Sequence, residues 1–252
     1  MTTLDWRGTG RSAREPAIGV GAQIALLAVL WVGVGLCPVG WLAASCYAVI
    51  VAITLTCGLL RSRMRSLGPA GRVTLARAVL VGGVTALVTT NRIDTDAPVV
   101  LIVLLGVVAL VLDAVDGRVA RRTGTVSELG ARFDMEIDAF LILVLSVSVS
   151  RSVGPWVLAI GAMRYAFAVA AWVAPWLRAP LPPSRARKVV ASIQGITLLV
   201  AVSGVLPEPV TAGLVGVALA TLVWSFGRDV GWLWRHRSDR GRVGGQCVSE
   251  NQ

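Results

Sequence analysis

Between Ile18 and Leu60 the chain carries no acidic and no basic residue. A soluble domain cannot hide so long an uncharged stretch. It holds two segments near the ~20 apolar residues that cross a bilayer core, parted by the turn-forming CPVG. Further along, apolar runs recur, and spans are expected at about 18–36, 40–60, 73–90, 97–117, 134–150, 154–176, 187–206 and 209–233. Hydrocarbon offers backbone amides no partners, so each span should be a helix. The expected fold class is all-α: a polytopic integral membrane protein of about eight transmembrane helices. At 252 residues the length would suit one or two soluble domains, but 55% hydrophobic and 15% charged residues, with a mean hydropathy of +0.73, exclude that class.

The net charge of +10 is distributed by topology. Arg7, Arg11 and Arg14 precede the first span, and Arg61, Arg63, Arg65 and Arg72 follow the second. Arg118, Arg121, Arg122 and Arg132 lie between the fourth and fifth. Arg178, Arg185, Arg187 and Lys188 follow the sixth, and Arg235, Arg237, Arg240 and Arg242 fill the tail. The alternate connections hold only Arg92 and Arg151. The positive-inside rule therefore puts both termini and every basic loop in the cytoplasm, as expected of a multi-pass protein of the inner cell membrane. A basic face of this kind attracts anionic membrane lipids, and no nucleic-acid partner is expected. Arg77, Arg164 and Arg228 fall inside spans.

The first apolar run lacks a convincing cleavage site, so no removable signal peptide is expected. Cys37, Cys46, Cys57 and Cys247 form no CxxC pair, and the first three, in or beside apolar runs, read as small buried side chains. The one histidine, His236, sits in the basic tail, which argues against chemistry that needs an imidazole. The arginine-rich RSRMRSLGPAGR divides the chain. Residues 1–67 read as an N-terminal segment with two accessory spans, 68–234 as a six-helix core and 235–252 as a basic tail.

The chemistry is concentrated in LDAVDGRVARRTGTVSELGARFDMEID, residues 112–138. Asp113 and Asp116 are three apart, Asp134 and Asp138 four apart, so each pair shares a helical face. Two antiparallel helices would bring all four carboxylates together, and they would repel one another without cations. Oxygen ligands without His or Cys suit hard ions, Mg²⁺ first and Mn²⁺ or Ca²⁺ next, and four carboxylates can hold two ions. Gly117 and Gly130 would admit a ligand close to the backbone, and Arg121 offers a planar fork to a diphosphate. The plainer reading is that Arg118, Arg121, Arg122 and Arg132 neutralise these aspartates as ordinary span-end charges.

Taken together the segment is Asp113-x2-Asp116-Gly117-x2-Ala120-Arg121-x8-Gly130-x3-Asp134-x3-Asp138. It resembles the signature of the CDP-alcohol phosphatidyltransferase family at each fixed position. The resemblance implies a six-helix membrane enzyme, generally a homodimer. Such an enzyme transfers a phosphatidyl group from CDP-diacylglycerol to an alcohol and releases CMP. It further implies that Asp113, Asp116, Asp134 and Asp138 hold metal, with Asp138 also the base, and that Gly117, Ala120, Arg121 and Gly130 contact the CDP moiety. In GPAGRVTLARAVL, Thr74 and Arg77 resemble the family's first core helix, which would add Thr74 to the donor site. Ala70 and Gly71 depart from the polar position expected there, and the Thr74 hydroxyl could equally turn to its own helix.

Arg164, and Arg187 with Lys188 ahead of the seventh span, resemble the family's acceptor-binding positions. Val190 stands where some glycerophosphate-transferring members have a second basic residue, so glycerol 3-phosphate, inositol phosphate, serine and phosphatidylglycerol all stay open as acceptors, with a phosphorylated polyol favoured. Two rival classes remain. An intramembrane prenyltransferase also uses aspartates and Mg²⁺, but Leu112 stands where such motifs typically have Asn. A transporter would suit eight spans and an arginine in mid-span, but no inverted repeat is visible.

Overall fold

The computed structural model describes residues 14–62, 68–93, 98–123, 128–178 and 185–235. Among these, eight α-helices follow one another: α1 (Arg14–Val34), α2 (Pro38–Ser62), α3 (Gly68–Ile93), α4 (Val99–Thr123), α5 (Glu128–Val149), α6 (Leu158–Val173), α7 (Arg185–Ser203) and α8 (Glu208–Arg235). Single 3₁₀ turns at Pro155–Val157 and Pro175–Arg178 flank α6. Among the described residues there is no strand, and the architecture is the polytopic helical one expected.

Five helices are long and apolar enough to cross a bilayer on their own. In α4 and α7 the apolar part is shorter, Val99–Val115 and Val189–Ser203, and α5 opens with the charged ELGARFDMEID. The polarity is arranged as a membrane solvent requires. Val29, Val32, Trp172, Val173 and Trp224 point outward, while Gln23, Thr85, Thr90, Ser146 and Gln194 are buried. Two of the cysteines correct the sequence reading: Cys37 is buried, but Cys46 and Cys57 face outward. In a bilayer an outward cysteine meets lipid, so the apolar run around it says nothing about burial in protein.

Helix α3 is the axis of the bundle. Every residue from Val81 to Val88 is buried, as befits a helix apolar all round. Helices α1, α2, α4 and α5 all pack against it, and α2 also touches α5, where Tyr47 stacks on Phe140. Close approach depends on small residues. A Cβ at Gly40 of α2 would stand 2.7 Å from the Ala86 carbonyl oxygen of α3, and one at Gly161 of α6 would stand 2.5 Å from the Leu143 backbone of α5. The α1–α2 turn is set by Gly35, whose φ of 72° is left-handed and ends α1 with a Gly35 N–H to Trp31 carbonyl bond. Pro38 then starts α2 at a position where its missing N–H costs nothing. The turn is pinned to α3 by the Cys37 N–H, which donates to Thr90 Oγ1 at 3.3 Å. Helices α7 and α8 are tied by Gln194 Nε2 donating to the Ala218 carbonyl at 2.8 Å.

Candidate active site

The helical ends differ from the apolar ends in a way that places the site. The apolar part of α4 ends at Val115, yet the helix continues to Thr123. Asp113 therefore lies about ten residues, on the order of 15 Å, inside the helix end. Likewise Asp134 and Asp138 lie in the second and third turns of α5. The carboxylates are recessed between helices rather than set at their tips.

From α3, Arg77 reaches into this recess with its side chain 1% exposed. Its Nη1 pairs with Asp113 Oδ1 at 2.6 Å, and its Nη2 with Asp134 Oδ1 at 2.5 Å and Asp138 Oδ1 at 3.1 Å. Nη2 also donates to the Asp134 backbone carbonyl at 3.1 Å. One guanidinium thus joins three carboxylates from two other helices. A charge this deep is tolerable only with such partners, and the planar fork suits several oxygens at once. With all three carboxylates ionised, the cluster keeps a net charge of −2, which a single divalent cation would balance.

One oxygen from each of Asp113, Asp134 and Asp138 lies within 4.8 Å of the others. The three side chains are about one-third exposed, so the recess is open to solvent or a ligand. A set of hard carboxylate oxygens at this spacing fits Mg²⁺ or Mn²⁺. The guanidinium among them shows that the pocket accepts a cation. The fourth aspartate, Asp116, is on α4, but its side chain lies outside the described residues, as do those of Ala120, Arg121, Arg187 and Lys188. Gly117 is on α4 beyond Asp113, and Gly130 is in the first turn of α5.

Thr74 is buried one turn before Arg77, and its hydroxyl donates to the Ala70 carbonyl at 3.2 Å. That bond is the helix-facing alternative given above. Among the described residues Arg164 does not join Asp113, Asp134 or Asp138. Its guanidinium pairs with Glu136 of α5, which stands between Asp134 and Asp138 but on the other face of the helix. The third span-internal arginine, Arg228, meets Asp229 at 3.5 Å and lies 5.2 Å over the Trp224 ring.

Arg77's place was not read from the sequence, although one signal was available. An arginine inside an apolar span must find acidic partners, and the motif supplies four aspartates together. Glu136 was missed as well, because nothing in its spacing separates it from an ordinary helix-surface charge.

Fold and site together define a helical membrane protein with a recessed carboxylate centre suited to a divalent cation. The family model for CDP-alcohol phosphatidyltransferase matches residues 67–224, more than half of the chain, and the protein belongs to that family. The match begins after α2, so the α1–α2 hairpin lies outside it. No curated protein and no solved structure matches the chain. Family membership supports transfer of a phosphatidyl group from a CDP-alcohol to an alcohol, chemistry that is generally divalent-metal dependent.

Proposed function

We propose that this protein transfers a phosphatidyl group from CDP-diacylglycerol to a phosphorylated polyol, such as glycerol 3-phosphate or inositol phosphate, releasing CMP. The observation that carries the proposal is the convergence of Asp113, Asp134 and Asp138 in one recess. A divalent cation bound there, with a second ion when Asp116 completes the set, would neutralise the donor diphosphate and the charge that develops on CMP.

The chain's own residues do the rest. Asp138 takes the proton of the acceptor hydroxyl, whose oxygen attacks the β-phosphorus of the donor. A new P–O bond forms there, the diphosphate P–O bond breaks, and CMP leaves with the bonding electron pair. By the family resemblance Gly117, Ala120, Arg121 and Gly130 contact the CDP moiety, with Thr74 of α3 added to the donor site. A homodimer is the assembly expected of the family resemblance.

The recess belongs on the cytoplasmic side, where CDP and a polar acceptor arrive from water while the acyl chains stay in the leaflet. In support, Arg151 Nη1 donates to the Asn91 carbonyl at 2.6 Å, so the two sparsely charged loops share one end of the bundle. A cysteine placed at Ser184 should be labelled only from the cytoplasmic side, and one near Arg92 only from outside. Outside labelling at Ser184 would defeat this orientation.

For the acceptor we assign Arg164, Arg187 and Lys188. Glu136 holds the Arg164 guanidinium in place and lowers the cost of a charge at that depth. Arg164→Ala and Lys188→Ala should each raise the acceptor KM much more than the donor KM. Each loss should correspond to about 1.5–3 kcal/mol, one charged hydrogen bond. Unchanged acceptor dependence in both variants would move the pocket elsewhere. The direct test of the whole reading is CMP release from CDP-diacylglycerol by the purified protein with Mg²⁺ across a panel of acceptors. No CMP with any phosphorylated polyol refutes the proposed specificity.

A further inference from the structure

The α1–α2 hairpin lies outside the family match, yet α2 meets α5 at two places. At the first turn of α5, the Leu129 side chain fills the notch left by Gly58 of α2. A Cβ at Gly58 would have Leu129 Cδ1, Cδ2 and Cγ as its three nearest neighbours, with Cδ1 far inside contact distance. Further along, the Tyr47 ring of α2 stacks on Phe140 of α5, with centroids 4.5 Å apart and planes at 16°. From one contact to the other is 11 residues back along α2 and 11 forward along α5. That step is about three helical turns, so both contacts use one face of each antiparallel helix.

Asp134 and Asp138 lie between these contacts, five and nine residues from Leu129 and so roughly 140° and 180° around the helix. They turn away from α2, to Arg77 of α3, which holds them there. The first turn of α5, ELGAR, contains a glycine, and Leu129 is its one large apolar side chain. Gly130, which the family resemblance sets against the CDP moiety, follows Leu129 directly. Whatever displaces Leu129 therefore displaces the Gly130 backbone. Glycine inside α2 weakens that helix, and here its missing side chain is what lets Leu129 in.

We propose that Gly58 and Leu129 are positioning residues for the donor: the accessory hairpin holds the first turn of α5, and with it Gly130, where the CDP moiety binds. The hairpin is then a part of the donor site and not a membrane anchor alone. This rests on the reading of Gly130 as a CDP contact.

The test uses the full-length protein in lipid nanodiscs. CDP binding is followed by calorimetry at saturating Mg²⁺, and Mn²⁺ binding by electron paramagnetic resonance without nucleotide. Gly58→Val fills the notch and should weaken CDP binding roughly 3–10-fold, less than the 10–100-fold lost with a bonded outer-shell partner of a metal site. Mn²⁺ binding should stay within about 2-fold, as for an independent site, because Arg77 and not α2 holds Asp134 and Asp138. Adding Leu129→Ala removes the side chain that the valine strikes, and the pair should bind CDP more tightly than Gly58→Val. Leu129→Ala alone should show the same split at smaller amplitude, and it decides the matter if Gly58→Val does not fold. Gly130→Ala is the reference for the CDP contact itself. CDP binding that Gly130→Ala weakens and both Gly58→Val and Leu129→Ala leave unchanged overturns this proposal alone. So does a common loss of CDP and Mn²⁺ binding, or a pair that gains nothing over Gly58→Val. If wild type binds no CDP, or Gly130→Ala binds it as wild type does, the donor-site reading falls and this proposal with it.

Discussion

Asp113→Asn and Asp134→Asn are expected to abolish CMP release while the protein still folds. Each exchange keeps the side-chain volume and removes a formal charge from the trio that lies within 4.8 Å. Outer-shell partners of metal sites typically cost 10–100-fold, so a direct ligand should cost more, leaving less than roughly one hundredth of the activity. Folding should survive, because removing one of three like charges relieves repulsion that Arg77 only partly offsets. Asp138→Asn should differ in kind. Donor binding should remain largely intact while turnover disappears, since an amide cannot accept the proton of the acceptor hydroxyl. Equilibrium binding of the donor, measured beside single-turnover CMP release, separates the two classes of variant. Near-normal turnover in Asp138→Asn would remove it from the role of base.

The second large effect belongs to Arg77. Arg77→Met should lower stability on the order of 3 kcal/mol, the low end for breaking a buried ion cluster, because the carboxylates are about one-third exposed. The loss should depend on divalent cation. Mg²⁺ at about 100 times its dissociation constant returns roughly 2.7 kcal/mol by mass action, and with the guanidinium gone nothing competes for the oxygens. Arg77→Lys should rescue only in part, since an ammonium is a point charge and cannot bridge three carboxylates as a fork does. The measurement is thermal unfolding of wild type and both variants with chelator and with Mg²⁺. If Arg77→Met melts with the wild type in chelator, the guanidinium is not what holds α3, α4 and α5 together.

Much of this could be read from residues alone, and the division has a physical cause. Apolar run length and arginine alternation report on the solvent around each helix, so the eight helices were legible. Their ends were less so. The fourth span is expected to end at 117; RVARRT beyond it is too polar for hydrocarbon but stays helical, and α4 runs on to Thr123. The pairing of Asp134 with Asp138 follows from a four-residue step on one helix. The meeting of Asp113 with that pair needs only two antiparallel neighbours. Arg77 is different: its three carboxylate partners all stand 36 or more residues away, and no local periodicity encodes a contact across three helices. Glu136 was obscure for the opposite reason, sitting inside the motif but facing away from its work.

Arg77 also bears on how the chain comes to be in a membrane at all. Helix α3 leaves the ribosome before any of the carboxylates that cover its charge. On insertion scales a bare arginine costs about 2.5–3.5 kcal/mol at mid-helix, an upper bound for Arg77 in the first half of the 26-residue α3. That deficit persists through 36 residues of synthesis to Asp113 and through 57 to Asp134. During this interval the apolar α1–α2 hairpin is the only finished part of the bundle against which α3 can shelter. Helices α3, α4 and α5 are then best released into lipid as one group, and a nascent chain stopped short of Asp113 is where the missing partners would be felt most.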